Sequence, residues 1–82
     1  MDEVESKIID IIAENLRLDK SKITPQSRLV EDLGADSLDQ VEIVMAIDAA
    51  FGIDTSDEEA SKITTISDAV DFVKNKISEQ KQ

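Results

Sequence analysis

The chain contains no cysteine and no histidine. The first absence removes disulfide frameworks, thiolate nucleophiles and cysteine-based zinc clusters. The second removes the commonest general base and the commonest metal ligand, so any catalysis would fall to carboxylates and lysines. Basic residues are scarce as well: nine lysines and arginines stand against 19 aspartates and glutamates, a formal net charge of −10. That balance argues against nucleic acid and anionic membranes as partners, whereas a basic protein surface would be attracted and steered. No apolar run is long enough to cross a bilayer, and Met1-Asp2-Glu3 is acidic where a signal or transit peptide would be basic. The expectation is a cytoplasmic monomer without membrane insertion, unless the sequence is the processed form of an organellar protein. There is one proline, no internal repeat and no low-complexity segment. Eighty-two residues make one small domain, residues 1–82, burying around 60% of the surface its unfolded chain exposes.

What is present is helical periodicity. From Glu3 to Leu16 the apolar residues Val4, Ile8, Ile11, Ile12 and Leu16 recur at helical spacing, which predicts an amphipathic, core-forming helix. Arg17 to Asp36 holds Pro25 and has no sustained period; it reads as a long ordered loop anchored by Ile23, Leu29, Val30 and Leu33. Such a loop serves either as a connector or as a binding element. A second helix, Ser37 to Phe51, presents Ile43, Ile47 and Phe51 on one face, flanked by Val44 and Ala50. Leu38, Val41 and Met45 lie on the opposite side, bordered by Glu42 and Asp48. We assign the first face to the core and the second to docking, the alternative being a helix buried nearly all round. Gly52 stops that helix, Ser56 and Glu59 form a capping box for a short helix over Asp57 to Lys62, and Thr65 with Asp68 opens a last helix. Its stripe is Ile66, Ala69, Val70, Val73 and Ile77, widened by Phe72, and Ser78 to Gln82 reads as a fraying tail. The fold class is all-α: a small four-helix bundle of three principal helices and one short one.

The chemistry concentrates at the start of the second helix. Asp36 is placed as its N-cap, and Asp39 adds negative charge where the helix dipole favours it. Ser37 then falls at the first helical position, a presented hydroxyl at a helix end whose free N–H groups suit a phosphate, with no base beside it. A serine so placed is by itself often just tolerated. The stretch Gly34-Ala35-Asp36-Ser37-Leu38-Asp39, followed by Val41-Glu42-Ile43-Val44-Met45, nevertheless resembles the prosthetic-group segment of acyl carrier proteins of the dissociated (type II) fatty acid synthesis systems. Glu31-Asp32-Leu33 before it, and Asp57-Glu58-Glu59-Ala60 with Lys62-Ile63-Thr64-Thr65 after it, resemble the same family in the same order.

The resemblance implies that a phosphopantetheinyl transferase (holo-acyl-carrier-protein synthase) moves 4′-phosphopantetheine from coenzyme A onto Ser37. The arm's thiol would then carry acyl groups as thioesters, which supplies sulfur chemistry to a chain without cysteine. It further implies a carrier that is not an enzyme, with a growing chain sheltered between the second and last helices. The acidic surface of Asp36, Asp39, Glu42 and Asp48 around Leu38, Val41 and Met45 would meet basic patches on fatty acid synthesis enzymes and acyltransferases. Rival readings are a carrier of polyketide, peptidyl or D-alanyl groups, and an acidic helical interaction module with no cofactor. The chain departs from the family pattern at Asp48-Ala49-Ala50, where an acidic run is common, and at Thr55-Ser56, where Ile-Pro is usual. Residues Asp54 to Glu59 faintly suggest a calcium loop, but the sixth position is Glu59 rather than glycine and the twelfth is Thr65 rather than glutamate. No metal site is assigned.

The charge excess carries a stability consequence. Added salt or divalent ions should raise the melting temperature by screening self-repulsion; a melting temperature flat or falling with modest salt contradicts this.

Overall fold

The computed structural model describes residues 2–80. The first helix, α1 (Glu3–Leu16), begins where Asp2 caps it, the carboxylate accepting from the Glu5 N–H at 2.8 Å. Ile8 and Ile12 are fully buried, and Ile9 and Ala13 join them, so the buried face is wider than the predicted stripe, while Ile11 is only half-buried. The helix ends at Arg17 in the left-handed conformation (φ 58°), its N–H donating to the Ala13 carbonyl. Glycine usually supplies that conformation. Here an arginine does.

From Arg17 to Asp36 the chain is the predicted ordered loop, with one addition: a 3-10 turn at Lys20–Lys22, capped by the Asp19 carboxylate, which accepts from the Ser21 N–H at 3.0 Å. Ile23 and Leu29 are buried and Leu33 packs at the core's margin. Val30 is 51% exposed and is no anchor. The turn that carries it closes over the Arg28 carbonyl, which accepts from the N–H groups of Asp32 and Leu33, and leaves Val30 on its outer side. The loop is stitched to the start of the last helix. Leu29 N–H donates to Thr64, Ile66 N–H to Ser27 and Ser67 N–H to Pro25, at 2.9, 3.1 and 2.9 Å. These bonds satisfy backbone groups that a buried loop would otherwise leave unpaired.

The remaining helices are α2 (Ser37–Phe51), α3 (Asp57–Ser61) and α4 (Ile66–Gln80). Gly52, at φ 65°, terminates α2 as predicted and donates to the Asp48 carbonyl. The Ser56–Glu59 capping box is present in both directions, at 3.1 and 3.0 Å. The short helix it opens stops at Ser61, with Lys62 as its C-cap rather than its last residue. At the start of α4 the Asp68 N–H donates to the Thr65 hydroxyl (3.1 Å), and one Asp68 oxygen accepts from Thr64 N–H, Thr64 hydroxyl and Thr65 N–H. The predicted fraying is not seen over Ser78 to Gln80, which continue α4; Lys81 and Gln82 lie outside the described residues. Glutamate and glutamine are good helix formers and need no burial to extend it.

Among the described residues four helices and one 3-10 turn thus make the all-α bundle, with an isolated bridge between Arg28 and Thr65. α1 packs on both α2 and α4. Ile8, Ile12, Ile43, Ile66 and Val73 are fully buried at that junction, each worth roughly 1.5–3 kcal/mol of apolar burial. Exposed ion pairs, such as Lys20–Asp10 at 2.7 Å, contribute at most about 1 kcal/mol. The core decides the fold, and the pairs trim it.

Hydrogen bonds from Thr64, above all from its hydroxyl, hold the Asp68 carboxyl below the usual aspartate range. A depressed carboxyl contributes stability above its unfolded value and loses it as pH falls through the folded one. Asp68→Asn should therefore lower the melting temperature at pH 7, and the gap to the native chain should close as pH drops below about 3.9, the ordinary aspartate value. A gap independent of pH contradicts this.

Candidate functional site

At the N-terminus of α2 two aspartates hold each other in place. Asp36 Oδ1 accepts from the Asp39 N–H at 2.8 Å, and Asp39 Oδ2 accepts from the Asp36 N–H at 3.1 Å. The predicted N-cap is thus half of a reciprocal capping box, a role for Asp39 beyond charge. The Asp-x-x-Asp spacing was the signal for it. The Asp36 carbonyl also takes the Gln40 N–H at 3.0 Å.

Ser37 occupies the first helical position, exposed, and among the described residues its hydroxyl has no hydrogen-bond partner. The N–H groups of Ser37 and Leu38 are likewise unpaired there, since the two that follow are taken by Asp36. These are donors for an anionic oxygen. The two carboxylates put negative charge at the same end, so a free phosphate would be repelled; a covalent bond would be needed to hold one there.

The two faces of α2 separate as the periodicity predicts. Ile43 and Ile47 are buried and Phe51 half-buried, while Ala50, expected on their flank, is exposed. Leu38, Val41 and Met45 are 66, 56 and 65% exposed. Glu42, between them in sequence, is exposed and has no ion-pair partner among the described residues. α2 has no basic residue at all. Asp48 behaves differently from the other acidic candidates. It is half-buried, and both carboxylate oxygens turn to Thr55, accepting from its hydroxyl at 2.6 Å and its N–H at 3.0 Å. Nothing in the spacing of those two residues announces the bond.

Beside Ser37 opens a cavity of about 500 Å³, within the range of small-molecule sites. Val41, Val44 and Met45 of α2 form one wall. The facing wall comes from Ala60 and Ser61 of α3 with Ile63 just beyond it; α4, expected to line this space, adds only Ala69. The short helix therefore plays a part that its length did not suggest. Ser61 also lines the cavity, but its hydroxyl is spent on the Glu58 carbonyl at 2.7 Å. Of the residues that suggested a calcium loop, Ser56 and Glu59 are engaged with each other and Thr55 with Asp48. No group of three or more acidic residues among the described residues is arranged to hold a metal ion.

A family model described as a phosphopantetheine attachment site matches residues 6–73. The acyl carrier proteins of Rickettsia canadensis and Rickettsia rickettsii are each 52% identical to this chain over 77 residues, covering 94% of it and 90% of their own length. That of Rickettsia typhi is 51% identical over the same extent.

Proposed function

The chain belongs to the acyl carrier protein family, and from that premise we propose that Ser37 is the residue to which the phosphopantetheine arm is attached. The chain carries acyl intermediates of fatty acid synthesis on that arm, whose thiol, when bound, supplies the thioester linkage. The observation that carries the assignment is the setting of Ser37: an exposed, unpartnered hydroxyl at the N-terminus of α2 that opens on the apolar cavity.

Loading joins Ser37 Oγ to the phosphorus of the arm as the anhydride bond within coenzyme A breaks, the adenosine part leaving with the electron pair. The hydroxyl proton has to go to a base on the transferase. This chain has no histidine, and Asp36 and Asp39 are committed to each other's backbone. The free N–H groups of Ser37 and Leu38 would hold the phosphodiester and offset its charge. The residues thus fit the group, and the chain's part is to present it and to shelter what it carries. In this reading residues 1–82 form a single carrier domain that catalyses nothing itself. A cytoplasmic location goes with the reading and rests on it alone.

The exposed side of α2 is the surface a partner enzyme would meet. Leu38, Val41 and Met45 supply its apolar part, and Asp36, Asp39 and Glu42 the charge for a basic patch. Glu42 is the carboxylate of this set that no backbone group engages. Asp48 contributes charge at the distal edge, though its oxygens face Thr55. A face kept open for successive partners accords with a monomer.

Incubation with coenzyme A and a phosphopantetheinyl transferase should raise the intact mass by one arm, and Ser37→Ala should abolish the gain. No gain, or one that survives the substitution, rejects the assignment. Glu42→Lys should slow transfer by partner enzymes about tenfold at low ionic strength, with a melting temperature no lower than that of the native chain. Unchanged kinetics would remove Glu42 from the docking surface.

A further inference from the structure

The cavity is lined mostly by apolar surface, with Ser37 at one end of its α2 wall and Asp48 at the other. From Ser37 it follows α2 past Val41, Val44 and Met45 to Asp48, about 16 Å of helix at 1.5 Å per residue. There the Asp48 carboxylate takes both Thr55 donors, at 2.6 and 3.0 Å, in a part-buried setting. The main-chain carbonyl of Asp48 takes the N–H groups of Gly52 and Ile53. One residue therefore closes the connection from α2 to α3 with all of its acceptors. Asp54 and Asp57 also line the cavity.

Resting on the carrier reading, we infer that the Asp48–Thr55 pair is a stop that sets how long an acyl chain the cavity houses. Each methylene that leaves water for the apolar stretch shifts the folding equilibrium about fourfold toward the native state. At the pair this gain ends. A further methylene would have to displace the hydrogen bonds of a part-buried carboxylate, and an unpaired carboxylate is among the costliest groups to bury. Chains that reach the pair must stop, fold back or leave part of their length in water. A pair that merely tied the loop would, when removed, lower the stability of every form equally. A stop changes how stability depends on chain length.

The test uses holo protein charged with saturated chains from butyryl to palmitoyl, for the native chain, Thr55→Ser and the double variant Asp48→Leu with Thr55→Val. Stability in urea is read for each acyl form relative to the same protein with a bare arm. The native chain and Thr55→Ser, which keeps a hydroxyl donor, should gain about fourfold per methylene and level off at the same chain length. The double variant should go on gaining with longer chains. Should the double variant fail to fold, Asp48→Leu alone, which removes the carboxylate itself, should move the levelling point the same way. One common levelling point for all proteins, or a native chain that never levels, overturns the inference. A chain that takes no arm at Ser37 rejects the carrier reading and this inference with it, whereas one that loads normally but shows no shift rejects the inference alone.

Discussion

Asp36 and Asp39 exchange hydrogen bonds across the first turn of α2 and set the helix start immediately before Ser37. Successive residues are turned by about 100°, so Ile43 and Ile47, four apart, share the face toward the core, while Glu42 and Asp48 fall away from its centre. With the start fixed, Ser37 stands at the helix end, the buried isoleucines meet α1, and Leu38, Val41 and Met45 face outward. The cap is a local interaction, and the helix it opens contributes to the core, to the cavity and to the outer face alike.

The features readable in the sequence are those encoded by short-range spacing. The bounds of α1 and α2, the Ser56–Glu59 box, the Thr65–Asp68 start and the division of α2 into two faces all depend on residues three or four apart. What escaped depends on contacts between distant segments or on the geometry of a turn. Val30 has the composition of an anchor, but the turn over the Arg28 carbonyl leaves it outside. The bonds that fasten the loop at Pro25, Ser27 and Leu29 to Thr64, Ile66 and Ser67 join stretches far apart in sequence. The placement of α3 opposite Val41 and Met45, and the bond from Asp48 to Thr55, have the same origin. Arg17 is a separate case: the left-handed end of α1 is real, but the residue that usually marks it is absent.

The excess of acidic residues is handled by position. Asp2, Asp19, Asp36, Asp39, Glu59 and Asp68 accept from backbone N–H groups at or near helix starts, where negative charge is favoured. Lys76 bridges Glu59 at 3.1 Å, tying α4 to α3, and Lys74 pairs with the Asp2 that caps α1. Lys20, Lys74 and Lys76 thus join separate elements, whereas Arg28 pairs within its own loop. They leave α2 with no basic residue. Much of the uncompensated charge therefore lies on the helix proposed to meet basic partners.

The same allocation places two demands on Val41 and Met45. Both are more than half exposed on the outer face, and both also line the cavity. A partner that covers Leu38, Val41 and Met45 would remove water from the rim of the cavity as it docks. The free energy of an apolar chain inside depends on the contrast between the cavity and water. In the proposed carrier reading, drying the rim would reduce that contrast, so docking would lower the cost of drawing the chain out toward the partner. No separate gate on that side is required. The polar closure lies at the other end, at Asp48 and Thr55, where withdrawal of a chain breaks no hydrogen bond.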